Sequence, residues 1–182
     1  GFAGRVGRTL DVHEIGAPAV ADLATMLRAG AAALIRFTAD GAVEHLAGEM
    51  PIHLPAGATE SGGSEILSRG EVQVVDEAQL RAAGIPVEPG VPEVLVAPLT
   101  DETGAFAVIL VVRRDLQRLR FEKSDVARLK NVGEQLAVSL RRGMLHEQLE
   151  FEARHDALTG LPARTMFETE VGAAVHHGHE GE

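Results

Sequence analysis

Apolar residues follow helical spacing near both ends of the chain, and strand-like patterns lie between them. From Gly16 to Gly30 the spacing predicts an amphipathic helix, with Pro18 near its start and Gly30 just past its end, where each is favoured. Farther on, Ser124 provides an N-cap before another series of apolar residues three and four apart. This helix is expected to continue to about His155, which is roughly 30 residues or about 45 Å.

Two hairpins are predicted between these helices. The segments AALIRFT and AVEHLAGE flank Asp40-Gly41, a pair typical of a hairpin turn. The runs VLVAPLTD and AFAVILVVRR form the second hairpin, and the continuous apolar character of the latter indicates a strand buried on both faces. Between the hairpins we expect a loop over 50–63, a short helix capped by Ser64, a strand over 71–76 and a helical turn with a loop over 79–92. The fold class is therefore α+β: a central antiparallel sheet flanked by helices, with a long C-terminal helix.

The second half of the long helix, RRGMLHEQLEFEARH, carries only a thin apolar stripe. A single small domain cannot cover a helix of this length. We therefore expect the stripe to pair with the same helix of a second copy in a parallel coiled coil, although Gly143 makes the seam imperfect. The chain is predicted to be a homodimer through this helix.

Composition narrows the function classes. With 182 residues, the chain is long enough for one domain and a tail. A formal net charge of −10 argues against nucleic acid or an anionic membrane as a partner. The absence of cysteine excludes disulfides, thiolate zinc sites and a thiol nucleophile. No apolar run reaches the roughly 20 residues needed to span a bilayer, so we expect a cytoplasmic location for this piece.

The order of elements resembles a GAF domain, a small ligand-binding and signalling fold of many bacterial regulators. The phrases VLVAPLTDETGAFAVILVV and FEKSDVARLKNVGEQLAVSL look like the last two strands and the closing helix of that family. On this resemblance, residues 1–15 are an N-terminal extension and residues 16–142 a GAF-like sensor domain. The resemblance implies a sensory and dimerising role, with a small-molecule ligand that the sequence does not identify.

The stretch LEFEARHDALTGLPARTMFETEV resembles the entrance to a GGDEF domain, the diguanylate cyclase fold that condenses two GTP into cyclic di-GMP. In that family a signalling helix ends in Asp-x-Leu-Thr-Gly-Leu-x-Asn-Arg. Residues 143–155 are then the helical linker, and residues 156–182 the start of a truncated GGDEF domain. Ala163 replaces the usual Asn. The matching positions, interpreted as a signal-coupling turn without catalytic chemistry, are Asp156, Leu158, Thr159, Gly160, Leu161 and Arg164.

This second resemblance implies that the parent protein is a diguanylate cyclase, alone or joined to a phosphodiesterase. The GGDEF signature and the metal-binding carboxylates do not occur in the sequence, so no catalytic residue, metal or cofactor is expected in this chain. Mg²⁺ and GTP would belong to the missing part. The alternative is a stand-alone small-molecule-binding GAF domain with no cyclase partner.

Other candidate sites are weaker. His45 and His53 are placed where either can touch a pocket ligand, whereas His176, His177 and His179 lie in a Gly-containing tail. The loop over 78–92 contains no histidine, which argues against haem, and the lack of cysteine excludes a thioether-linked bilin. The basic segment from Arg113 to Arg120 is interpreted as a solvated loop rather than a phosphate site.

Overall fold

The computed structural model describes residues 11–55, 62–114, 117 and 120–159. The helices within these residues are α1 (Val12–Met26), α2 (Gly62–Ser68), α3 (Glu77–Ala82) and α4 (Lys123–Thr159). The strands are β1 (Ala31–Phe37), β2 (Val43–Gly48), β3 (Gln73–Asp76), β4 (Glu93–Asp101) and β5 (Gly104–Val112).

The five strands form one antiparallel sheet in the order β2-β1-β5-β4-β3. Both predicted hairpins are confirmed, because β1 pairs with β2 and β4 pairs with β5. β5 lies at the centre, between β1 and β4, with Val108 opposite Ile35 and Leu110 opposite Val96. The α+β prediction is therefore correct, including the long C-terminal helix.

The sheet separates two hydrophobic clusters, because successive side chains of a strand point to opposite faces. On one face, Ile109 and Val111 of β5 pack with residues of α1 and α4. On the other face, Val108 and Leu110 pack with α3 and with the loop residue Ile52. This arrangement confirms that β5 is buried on both faces.

Helix α1 begins and ends about four residues earlier than the sequence predicted. Asp11 is the N-cap, and its carboxylate accepts the backbone N–H of His13 at 2.8 Å. Pro18 consequently lies inside the helix rather than in its first turn. At the other end the helix stops at Met26, and Arg28, with φ 51°, is the residue in the left-handed conformation just past it.

Helix α4 also differs from the prediction at both ends. It begins at Lys123, so Ser124 is not its N-cap. The side chain of Asp125 instead accepts the backbone N–H of Glu122 at 2.7 Å, which caps the first turn from within the helix. The helix runs through Thr159, past the predicted end at His155. The short helix α2 likewise begins at Gly62, before Ser64.

A buried ion pair joins the end of β5 to the start of α4. Arg113 donates to the carboxylate of Asp125 through both terminal nitrogens, at 2.9 and 3.1 Å, and both side chains are buried. Arg113 also donates to the carbonyl oxygens of Leu27, after α1, and Arg120. Its guanidinium lies 4.7 Å from the centre of the Phe121 ring. The interpretation of Arg113 as part of a solvated loop was wrong, because a carboxylate twelve residues later draws it into the interior.

We predict that Asp125→Asn lowers the free energy of unfolding by about 3 kcal/mol, because it leaves the Arg113 cation buried without a counter-charge. Urea denaturation followed by circular dichroism measures the change. The matched control is Glu49→Gln, which breaks the exposed Arg114–Glu49 pair of 3.3 Å and should cost less than about 1 kcal/mol. Equal losses for the two variants would contradict the structural importance of the buried pair.

Gly48 gives a second prediction. Its φ is +83°, and a Cβ there would collide with the carbonyl oxygen of Ala32. Gly90 has a similar φ of +86° but no neighbouring atom within 4 Å of a Cβ. Both Ala variants carry backbone strain, so the difference between them isolates the collision. In the same denaturation experiment, we expect Gly48→Ala to lower the free energy of unfolding by about 2 kcal/mol more than Gly90→Ala does. A loss for Gly48→Ala no larger than that for Gly90→Ala would refute this packing.

Candidate functional site

A cavity lies on the face of the sheet that α1 and α4 do not cover. Its volume is about 40 Å³. The strands contribute the floor, while α2, α3 and two loop segments contribute the walls. The described residues that line it are Ile35, Phe37, Val43, Ile52, Leu54, Gly63, Ile66, Leu67, Leu80, Ile85, Val96, Val108 and Leu110.

The cavity has the size of a packing void rather than of an open ligand site. Sites for small molecules usually measure roughly 300–1,000 Å³ and contain a few polar groups that orient the ligand. Here every described side chain of the lining is apolar, and the volume is about 40 Å³. In this conformation the cavity suits only a very small apolar molecule.

The candidate histidines do not line this cavity. The Nε2 atom of His45 makes a hydrogen bond with the carbonyl oxygen of Gly48 at 2.8 Å, and the side chain is exposed. His53 is exposed between two cavity residues, Ile52 and Leu54. Within the described part of the chain, no group of three or more His, Cys, Asp or Glu side chains is placed to hold a metal ion. His176, His177 and His179 lie outside that part.

Helix α4 is the second functional candidate, because it extends past the sheet. Leu129, Leu136 and Leu140 are buried against the domain, and between residues 123 and 156 Gly143 is the last buried position. Residues 145–155 are all exposed, a length of about 16 Å. Among the helices that the structure describes, none is both long and apolar enough to cross a membrane.

The predicted apolar stripe on this extension is exposed. Leu145 and Leu149 are 57% and 56% exposed, and Val138, one heptad before Leu145, is also exposed. At 100° per residue these three side chains lie within about 40° of one another, on the face opposite Leu140. Phe151 is exposed as well, but it lies toward the domain side of the helix and stacks on His155 at 6.0 Å.

One charged contact ties β1 to the extension of α4. Arg36 donates from Nε to Glu44 at 2.7 Å and from Nη1 to Glu147 at 2.6 Å. Its side chain is only 15% exposed. The pKa of Arg36 is raised above its ordinary value, chiefly by the hydrogen bond to Glu147.

A second contact ties the β4–β5 hairpin to α4. Arg141 Nε lies 2.9 Å from Asp101 Oδ2, an ion pair in which the N–H does not point at the oxygen. The Arg141 guanidinium also lies 5.5 Å from the centre of the Phe106 ring. The pKa of Asp101 is lowered, first by the hydrogen bond from the Thr103 hydroxyl and also by Arg141. Asp101 is thus ionised and available to pair with the helix.

The predicted coupling residues lie at and beyond the end of α4. Asp156 is half-buried in the last turns, and the backbone stays helical through Leu158 and Thr159. Gly160, Leu161 and Arg164 lie outside the described residues. The role of the six residues as a coupling turn stays a prediction.

Sequence reasoning missed both Arg36 and Glu147. A usable signal existed for each. Arg36 interrupts the apolar residues Ile35 and Phe37 in a predicted strand, and Glu147 follows Leu140 by one heptad on the buried line of the helix. Each is a charged residue at a position where the surrounding pattern predicts an apolar side chain. Nothing in the local sequence indicates that the two residues contact each other.

Solved structures with the same architecture come from several kinds of protein. The GAF domain of an Acinetobacter phosphoenolpyruvate-protein phosphotransferase has a TM-score of 0.63 and 14% identity, over 79% of this chain and 90% of that one. Residues 122 to 287 of a methyl-accepting chemotaxis protein give 0.62 and 16%, over 80% and 98%. The phycoerythrobilin-bound GAF domain of a cyanobacterial phytochrome gives 0.61 and 17%, over 80% and 94%. At these identities the likeness shows the fold alone.

Comparison with curated protein sequences gives no significant match. The sequence profile of the GAF domain, however, matches residues 11–140, which is more than half of the chain. The matched segment contains the whole sheet, the cavity and the first half of α4, which packs against the domain. On this match and the shared architecture, the chain belongs to the GAF domain family.

Proposed function

We propose that this chain is the sensory and dimerising module of a cyclic di-GMP signalling protein and that α4 is its output. The observation that carries the proposal is the continuity of α4. One helix runs from the buried core, past the edge of the domain, into the segment that resembles the GGDEF entrance. The parent protein is then a diguanylate cyclase whose activity depends on the state of the GAF domain.

The first half of α4 is held firmly enough to pass on a movement. Leu129, Leu136 and Leu140 are buried in the hydrophobic cluster between the sheet and the helices α1 and α4. The Arg113–Asp125 pair fixes the first turn. A helix anchored in this way moves as a rigid rod when its contacts with the sheet change, so the far end moves with it.

The exposed stripe on the extension supports pairing of two copies. Val138, Leu145 and Leu149 are separated by seven and four residues, the spacing of a coiled-coil seam. A second copy presents the same stripe about a twofold axis, so the interface is self-complementary. Pairing in parallel would bring both copies of the downstream segment to the same end.

Bringing two downstream domains together suits the diguanylate cyclase reaction that the GGDEF resemblance implies. A diguanylate cyclase condenses two GTP, so two cyclase domains held side by side place one GTP each. A change in the angle or spacing of the paired helices would bring the two domains together or apart. Asp156 and Thr159, at the junction, would then pass on the movement without taking part in catalysis.

The alternative is a stand-alone binding domain that retains a small molecule. The cavity volume of about 40 Å³ works against this alternative. We predict that native mass spectrometry of the purified chain shows the protein mass without a retained ligand. A stoichiometric adduct of several hundred daltons, removed by denaturation, would show that the cavity can hold a ligand and would favour the alternative.

We predict that replacing Leu145 and Leu149 together by Glu converts a dimer into a monomer, because four carboxylates would face one another across the seam. Sedimentation velocity at tens of micromolar measures the oligomeric state. Phe151→Glu is the matched control, since Phe151 is equally exposed but lies off the stripe. It should leave the dimer intact.

Two results would contradict the pairing. The first is a monomeric unsubstituted chain that behaves like a chain shortened to end at Arg142. The second is equal sensitivity to Glu at Leu149 and at Phe151. The cyclase part has its own test, which is the gene sequence beyond Glu182. An intact Gly-Gly-Asp/Glu-Glu-Phe signature there supports the proposal, and an unrelated continuation overturns it.

A further inference from the structure

The contact between β1 and α4 joins the cavity to the extension of the helix. We infer that Arg36 is the residue through which the packing state of the cavity sets the direction in which α4 leaves the domain. The inference rests on the proposed role of α4 as the output and names how that output is controlled.

The position of Arg36 in β1 places it between two residues of the cavity floor. Ile35 and Phe37 line the cavity, and Arg36, on the opposite face of the strand, reaches α4. Phe37 is also paired with Val43, another residue of the lining. Any change of cavity packing that moves the end of β1 therefore moves Arg36 with it.

The geometry of Arg36 is suited to passing on such a movement. Its planar guanidinium is held at Nε by Glu44 and at Nη1 by Glu147, and only 15% of the side chain is exposed. A planar group held at two points moves as one unit, in contrast to a flexible lysine. Glu147 lies four residues past Gly143, where the helix has already left the buried core.

The Arg141–Asp101 contact gives the movement a direction. It attaches α4 to the end of β4, whereas Arg36 attaches it to the end of β1. β1 and β4 lie on opposite sides of β5 in the sheet. A shift of β1 relative to β4 therefore tilts the extension rather than translating it.

Because the cavity is small, the residues around it are expected to shift when its packing changes. Protein interiors are close-packed, so a change of one methyl group is transmitted to the neighbouring atoms instead of being absorbed. A space of about 40 Å³ offers little room for such absorption. Val108 is the suitable position for perturbing it, because Val108 lines the cavity and lies opposite Ile35 in the sheet.

Spin-label distances test the inference directly. The chain has no cysteine, so Ala21→Cys on α1 and Ala153→Cys on the extension are unique labelling sites, and both residues are exposed. Pulsed electron paramagnetic resonance measures the distance between them, and excess unlabelled chain removes distances between copies. The cavity is enlarged by Val108→Ala and filled by Val108→Ile in two otherwise identical chains.

We expect the mean distance to differ by about 2 Å between the two Val108 variants, the scale of helix shifts in signalling proteins. In a Glu147→Gln background the difference should fall to less than half, and Arg36→Met should have the same effect. Glu49→Gln, which breaks an exposed ion pair that does not involve α4, should leave the difference intact. This pattern would support transmission through Arg36.

Two outcomes would overturn the inference: no difference between the Val108 variants, or a difference that survives Glu147→Gln as well as it survives Glu49→Gln. Failure of the proposed function looks different. If the distance change depends on Glu147 but the gene encodes no cyclase downstream, the inference about Arg36 stands and the cyclase proposal fails. An intact cyclase with no Glu147 dependence removes the inference alone.

Discussion

The buried pair between Arg113 and Asp125 is the constraint on which the position of α4 depends. Taking two charges out of water is costly, and the cost is recovered only when both partners and the remaining donors are satisfied. Arg113 meets that condition with two carbonyl oxygens, one after α1 and one before α4. Three chain segments must therefore meet in one arrangement. Because α4 starts there, its rotation about its own axis is fixed, and so is the face it presents to the sheet.

Much of the fold could be predicted from the sequence, because its hairpins and helices have local signals. The Asp40-Gly41 pair marks a turn, and the apolar run in β5 marks a central strand. The ends of helices were less predictable, since several residues near α4 can cap and the choice depends on the buried Arg113. The contact between Arg36 and Glu147 spans 111 residues, so only the folded arrangement shows it. The cavity volume likewise depends on how side chains from distant segments interlock.

The cavity also shows how far a shared fold carries an argument about ligands. A phytochrome GAF domain of the same architecture has phycoerythrobilin bound, at 17% identity to this chain. In this chain the described lining is apolar, and the space inside it measures only about 40 Å³. The backbone layout provides a place between the sheet and the surrounding helices and loops, whereas the side chains decide what enters it.

The two halves of α4 are held differently. Buried apolar side chains and the buried Arg113–Asp125 pair hold the first half. Two partly exposed ion pairs, Arg141–Asp101 and Glu147–Arg36, hold the second half. Dissolved salt weakens exposed charge pairs and leaves hydrophobic burial largely unaffected, because the Debye length falls from about 8 Å at 0.15 M to about 3 Å at 1 M. Ionic strength would thus loosen the exit of the helix without unfolding the domain. The concentration of ions around the protein would therefore affect the direction in which the helix leaves the domain, with no binding site required.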